Sequence, residues 1–99
     1  MSDTIKNVNE IPVSPFYVTC KDTFMSGWGR ASGLDNTLIL PCDTLAEAEI
    51  VKDNAEGRGD QINVIIHQTK PRLRSHGVLY SLFNRISAPR WYQIGSWVA

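Results

Sequence analysis

The sequence predicts a small α+β domain, in which an antiparallel sheet of three or four strands carries one main helix on one face and a short C-terminal helix or tail. Two segments rich in β-branched and aromatic residues, 16–21 and 36–42, have strand composition, and so does 62–68. Residues 43–57 carry the strongest helix signal. The order strand, strand, helix, strand predicts a hairpin, with the helix crossing one face to bring the third strand beside the first.

The predicted helix has clear signals at both ends. Thr44 followed three residues later by Glu47 forms a capping box, in which each side chain satisfies a backbone N–H that the first turn leaves unpaired. Gly57 and Gly59 favour a stop after the last periodic residue. Four apolar residues share one face at 100° per residue and should pack on the sheet: Leu45, Ala48, Val51 and Ala55.

The remaining segments predict less regular structure. Residues 1–14 are polar and contain Pro12, so we expect a flexible N-terminal arm before a single domain over 15–99. In 77–86 apolar residues recur at i, i+3, i+4 and i+7, which favours a short second helix with Phe83 in the core. In 62–68 we expect alternate residues on opposite sides of the strand, with Ile62, Val64 and Ile66 together.

Composition and motifs exclude several classes of function. The 42% apolar and 20% charged content is ordinary for one globular domain, and no apolar run approaches the ~20 residues of a membrane span. The first residues do not resemble a secretory signal, and two isolated cysteines suit a reducing cytoplasm. No metal-ligand spacing or nucleophile signature is present, so we expect no metal, no cofactor and no enzymatic activity. The residues considered as ligands are Cys20, Cys42, His67 and His76.

Charge divides the chain into two parts. Residues 1–60 hold all ten acids and five bases, whereas 61–99 hold five bases and no acid. Four acids of the predicted helix recur at spacings of four, three and four, where like charges repel with no local compensation. This acidic stripe is either solvated or complementary to a basic partner. It consists of Glu49, Asp53, Glu56 and Asp60.

Large apolar residues also occur in the glycine-rich stretch KDTFMSGWGRASG, residues 21–33. As part of a long hairpin loop they form a candidate contact surface for a partner, and the alternative is that they complete the core at the sheet edge. Trp28 lies between two glycines, so we expect it to serve binding more than folding. The candidate contact residues are Phe24, Met25, Trp28 and Arg30.

Basic and aromatic residues near the C-terminus offer an alternative function. Arginines with aromatic residues can follow a phosphate backbone and stack on bases, which predicts a nucleic-acid-binding surface. In the competing interpretation, which we favour, the tryptophans fold back over the sheet face that the helix leaves uncovered. A second copy of the chain, forming a homodimer, could also cover that face. The residues concerned are Arg72, Arg74, Arg85, Arg90, Trp91 and Trp97.

The stretch from YVTCKDTFMSGWG to INVII resembles small proteins of tailed bacteriophages and prophages, which share the DTFMSGWG motif, an "A-E" helix and a following strand. The similarity covers about residues 16–71, and APRWY (88–92) is similar too. The family implies no catalytic residue. It implies a phage accessory protein in the host bacterial cytoplasm that binds a host defence or nucleic-acid-handling protein, such as a CRISPR–Cas component, or a minor phage structural or assembly component.

Overall fold

The computed structural model describes residues 3–5, 8–22, 35–59, 61–73 and 78–96. Within these ranges the chain forms a mixed sheet with one main helix, so the predicted α+β class is confirmed. In the described residues the strands are β1 Asp3–Ile5, β2 Phe16–Asp22, β3 Asp35–Cys42, β4 Gln61–His67 and β5 Val78–Leu82, and the α-helix is α1 Leu45–Arg58. Two short 3-10 helices in the same part of the chain span Val8–Glu10 and Pro89–Tyr92.

The strand order in the sheet is β1-β5-β3-β2-β4. β2 pairs antiparallel with both β3 and β4, so the hairpin and the return of the third predicted strand beside the first are confirmed. β5 pairs parallel with β3 and antiparallel with β1. The sheet is therefore mixed rather than wholly antiparallel, and within the described residues it has five strands instead of the three or four expected.

The start signal of α1 acts as predicted, whereas of the two glycines expected at its end Gly57 lies within the helix and only Gly59 ends it. The Glu47 backbone N–H donates to Thr44 Oγ1 at 3.0 Å, and the Asp43 N–H donates to Glu47 Oε1 at 2.9 Å. These two bonds satisfy backbone N–H groups at the N-terminus of α1, which have no partner within the helix. Gly59 ends the helix with a φ of +80°, a left-handed conformation that glycine adopts without steric penalty.

The predicted helix over 77–86 is wrong, because residues Val78–Leu82 form β5. Val78, Tyr80 and Leu82 are alternate residues of β5, and their side chains pack with other apolar residues on the face of the sheet that lacks α1. A short apolar run fits both the helical and the strand period. When this segment pairs with the open edge of β3, its backbone N–H and C=O groups form hydrogen bonds, and this pairing favours the strand over the helix.

Apolar residues pack on both faces of the sheet. On the α1 side Val18, Leu38, Leu40, Val51 and other residues form a core that is nearly inaccessible to solvent. Phe83 packs against this core, as predicted. The opposite face has a smaller core, which consists of Ile11, Tyr17, Ile39 and Tyr80.

The N-terminal segment that we expected to be a flexible arm takes part in the fold where the structure describes it. β1 extends the sheet, and Ile11 is only 1% exposed in the second core. Tyr17 fixes the approach to β2, because its hydroxyl donates to the Pro12 carbonyl oxygen at 2.7 Å and accepts from the Ser14 N–H at 2.8 Å. Residues 11–14 therefore lie against the sheet.

Candidate functional site

The outer side of α1 presents carboxylates to solvent, as the sequence predicts. Glu49, Asp53 and Glu56 are exposed. Leu45, one helical turn before Glu49, is 49% exposed, so the prediction that it packs on the sheet is wrong. Lys52 Nζ lies 3.3 Å from Glu56 Oε1, so the expectation that nothing nearby compensates the stripe is wrong for Glu56. We call this surface, Leu45, Glu49, Lys52, Asp53 and Glu56, the acidic helix face. Asp60, the fourth predicted member of the stripe, lies outside the described residues.

The inner side of α1 is held by a buried amide. Asn54 is 3% exposed, and its Nδ2 group donates to the carbonyl oxygens of Trp91 at 2.9 Å and Gln93 at 2.7 Å, with a longer contact to Arg90 at 3.4 Å. A polar residue on the buried face of a helix is stable only when its hydrogen bonds are satisfied. These bonds join the helix to the C-terminal segment and fix the acidic helix face relative to the sheet.

Trp91 belongs to the core on the α1 side. It is 6% exposed, its ring meets Phe83 edge to face at a centroid distance of 5.6 Å, and the Arg58 guanidinium lies 5.0 Å from its centre. Trp91 folds back into the core, but the prediction that it covers the sheet face lacking α1 is wrong, because it packs on the same face as α1. Its ring is therefore not exposed for stacking on a nucleic-acid base.

Arg85 is engaged by carboxylates at the start of α1. Its guanidinium contacts both oxygens of Glu47, with Nε donating to Oε2 at 2.9 Å, and its Nη2 lies 3.0 Å from Asp43 Oδ2. Hydrogen bonding to Arg85 holds the pKa of Glu47 below its usual value, and the same bond raises the pKa of Arg85. This cation is thus largely neutralised and is a poor candidate for phosphate binding.

The remaining members of the predicted nucleic-acid surface do not form one patch in the described residues. Arg90 Nη2 donates to the Ser96 carbonyl oxygen at 2.8 Å, beside the C-terminal 3-10 helix. Arg72 is exposed and lines a cleft on the face of the sheet that lacks α1. Arg74 and Trp97 lie outside the described residues.

The predicted contact residues of the glycine-rich loop, Phe24, Met25, Trp28 and Arg30, all lie outside the described residues. The structure describes the strands on either side: β2 ends at Asp22 and β3 begins at Asp35, and the two pair antiparallel. The role of Trp28 in binding therefore stays a prediction.

The cleft opposite α1 was missed from the sequence. It has a volume of about 800 Å³ and is lined by Thr19 and Thr37 of the central strands, by Ile65 and His67 of β4, and by Lys70 and Arg72 of the segment that follows. His67 Nε2 and Thr19 Oγ1 are 2.8 Å apart. Burial lowers the pKa of His67, which favours a neutral imidazole at pH 7. We call this feature the sheet cleft.

Neither cysteine has the surroundings of a reactive or metal-binding thiol. Cys20 and Cys42 are buried and form no disulfide, and burial, with the negative charge of Glu47, raises the pKa of Cys42 to about 12. His67 is the only one of the two histidines that the structure describes. No group of three or more His, Cys, Asp or Glu side chains in the described ranges could hold a metal ion.

No family model, curated protein or solved structure matches the chain. The resemblance to phage proteins therefore stays a prediction. Among the helices that the structure describes, none combines the length and apolar character that crossing a membrane requires.

Proposed function

We propose that the chain is a phage-encoded accessory protein that binds a protein of the bacterial host stoichiometrically and inhibits bacterial defence, rather than catalysing a reaction. The observation that carries the binding proposal is the acidic helix face, where exposed carboxylates and a half-exposed leucine share the outer side of α1. The phage setting and the host bacterial cytoplasm rest on the resemblance of residues 16–71.

The charges of this face contribute little to the fold. Glu49 and Asp53 are one helical turn apart, where like charges destabilise a helix by a few tenths of a kcal/mol. Neither takes part in an ion pair within the described residues, and only Glu56 is paired, with Lys52. A partner with a basic surface would relieve this repulsion, so the arrangement is more favourable in a complex than in the free protein.

Leu45 gives the face an apolar contact at its N-terminal end. It is 49% exposed, whereas Ala48, Val51 and Ala55 of the same helix are completely buried. Protein interfaces combine apolar contacts at the centre with a polar rim. A leucine followed by carboxylates one and two turns later suits a partner that presents an apolar pocket beside lysine or arginine side chains.

The chemistry of the acidic helix face indicates the class of partner. Carboxylates held along a rigid helix resemble a row of phosphates to a protein whose binding surface is basic. Such a surface is typical of nucleic-acid-handling proteins, including the CRISPR–Cas components that the phage resemblance suggests. Binding there would block the host protein without any chemical step.

A capture experiment tests this proposal. Wild-type protein and the isosteric double variant Glu49→Gln/Asp53→Asn are immobilised and exposed to nuclease-treated lysate of the bacterial host. We expect the wild type to retain a nucleic-acid-binding protein that short duplex DNA displaces, and the double variant to lose it. Lys52→Gln serves as the control of opposite sign, because it makes the same face more negative and should strengthen capture.

Equal capture by wild type and the double variant, or weaker capture by Lys52→Gln, would contradict the proposed surface. Direct nucleic-acid binding is the rival function. It predicts that purified protein shifts short single- or double-stranded oligonucleotides, with an affinity that falls steeply as salt rises, and that no host protein is captured through the acidic helix face. A structural or assembly role in the phage predicts instead that the protein co-purifies with virions.

A further inference from the structure

The sheet cleft has cations on its lining and no carboxylate among the described lining residues. Lys21 comes from β2, and Lys70 and Arg72 come from the segment after β4. Lys70 and Arg72 take no part in the ion pairs within the described ranges. The acidic helix face is on the opposite side of the sheet. The cleft therefore has a charge complementary to an anion, independently of the surface proposed above.

The walls of the sheet cleft are held in place by the fold. The pairing of β2 with β4 shifts register between Thr19 and Lys21, and Asn63 adopts a φ of +54° at this irregularity. The shift sets Ile62 opposite Lys21, so Ile62 lies on the other side of β4 from Val64 and Ile66. The prediction that these three residues share one side of the strand is therefore wrong. Bulges of this kind bend a strand and redirect its side chains.

The second wall is anchored by packing. Leu73 packs against the core on this face, which includes Ile39 and Tyr80. Pro71, which also lines the cleft, restricts the backbone between Lys70 and Arg72. These two cations are therefore carried by a short segment whose end is fixed to the sheet.

The lining also offers neutral polar and apolar contacts. Thr37 and Thr69 supply hydroxyl groups that can donate or accept hydrogen bonds, whereas the Thr19 hydroxyl already contacts His67 Nε2. Ile65, which is 50% exposed, supplies apolar area together with Val78. A volume of about 800 Å³ is within the range of small-molecule sites. The suitable ligand thus joins an anionic group to a flat, partly apolar group that carries hydrogen-bonding atoms.

We propose that the sheet cleft binds a nucleotide, with the phosphate contacted by Lys70 and Arg72 and the base lying over Ile65 and the threonine hydroxyls. A nucleotide combines a phosphate with a flat base in one molecule of this size. Arginine contacts phosphate through paired N–H donors and lysine through a compact charge. The same chemistry is offered by a free nucleotide and by the terminal nucleotide of a single strand.

Nuclear magnetic resonance titration with the full chain tests the site and its ligand. The probes are adenosine 5′-monophosphate, adenosine, inorganic phosphate and a single-stranded oligodeoxyadenylate of twelve residues. We expect the monophosphate to shift the backbone amide signals of Thr19, Thr37 and Ile65. It should bind at least tenfold tighter than adenosine or phosphate alone, because each of those lacks one of the two groups. If the oligonucleotide binds more tightly than the monophosphate, the ligand of the cleft is the terminal nucleotide of a single strand. If the monophosphate binds more tightly, the ligand is a free nucleotide.

The matched variants are Lys70→Gln and Lys52→Gln, which remove the same charge from opposite sides of the sheet. Loss of one charge-assisted phosphate contact corresponds to a decrease in affinity of about tenfold. We expect that decrease for Lys70→Gln, a larger one for Lys70→Gln/Arg72→Gln, and none for Lys52→Gln, with all three variants melting like the wild type. The proposal is overturned if no probe shifts the cleft signals, if adenosine binds as tightly as its monophosphate, or if the double variant retains affinity. These results are independent of host-protein capture by the acidic helix face.

Discussion

Replacement of Asn54 by alanine removes the amide that joins α1 to the C-terminal segment. The side chain is 3% exposed, and its two N–H groups are directed to backbone carbonyls of Trp91 and Gln93. Alanine fits a helix well, so the substitution changes the hydrogen bonds with little effect on helix propensity. The expected result is a folded but less stable protein.

The magnitude follows from the number of bonds lost. Two bonds of 2.9 and 2.7 Å have good lengths, whereas the contact to Arg90 at 3.4 Å adds little. At a net ~1 kcal/mol for each, their loss amounts to ~2 kcal/mol, and leaving the buried Trp91 carbonyl without its donor raises the loss towards ~3 kcal/mol. A domain of this size has a total stability of about 5–15 kcal/mol.

Urea denaturation followed by circular dichroism measures the loss. A decrease of ~2 kcal/mol corresponds to a melting temperature lower by roughly 8–16 °C. Asp53→Ala is the control, since it changes the neighbouring, exposed residue and should alter stability by less than about 0.5 kcal/mol. Asn54→Asp should destabilise at least as much as alanine, because a carboxylate cannot donate to the carbonyls. An Asn54→Ala variant as stable as the control would refute this account of how α1 is held.

Three further predictions concern the same region. Trp91→Ala should lower the free energy of unfolding by ~3–5 kcal/mol in urea denaturation, because it empties a core position beside Phe83, and a loss below about 1 kcal/mol would contradict that position. Because the folded-state pKa of Glu47 is lower than its ordinary value of 4.5, its ionised form stabilises the fold at pH values above 4.5, and this stabilisation is lost as the pH falls through the folded-state pKa. Arg85→Gln should therefore have a lower free energy of unfolding at pH 7, and that free energy should change less with pH below 4.5. Cys42, with a pKa of about 12, should react with iodoacetamide at pH 8 only after unfolding, as peptide mass mapping would show, and rapid labelling of the native protein would disprove its burial.

Sequence reasoning succeeded where the signal is local. The capping residues Thr44 and Glu47 determine the start of α1 by their own hydrogen bonds, and the residues of β2 and β3 have strand composition. β5 was mistaken for a helix because its short apolar run fits both periods, and only the open edge of β3 decides between them. That edge is a property of the assembled sheet, not of residues 78–82.

The candidate sites divide in the same way. Helical spacing was enough to predict that Glu49, Asp53 and Glu56 share an exposed face. The sheet cleft depends on a register shift in β4 and on a segment after it that packs across the sheet. Asn63, a non-glycine residue with a positive φ, lies at this register shift, and nothing in the sequence around it strongly indicates that conformation. Lys70 and Arg72 could therefore be recognised as basic, but not as walls of a cleft.

The acidic helix face is tested most directly by carboxylate footprinting of the complex with the captured host protein. Carbodiimide labelling, read by mass spectrometry, is compared between the free protein and the complex, with the exposed Glu10 outside α1 as the internal reference. We predict that labelling of Glu49 and Asp53 falls several-fold in the complex while that of Glu10 is unchanged. Equal labelling of Glu49 and Asp53 in the free and bound protein would contradict the proposal that this face is the contact surface.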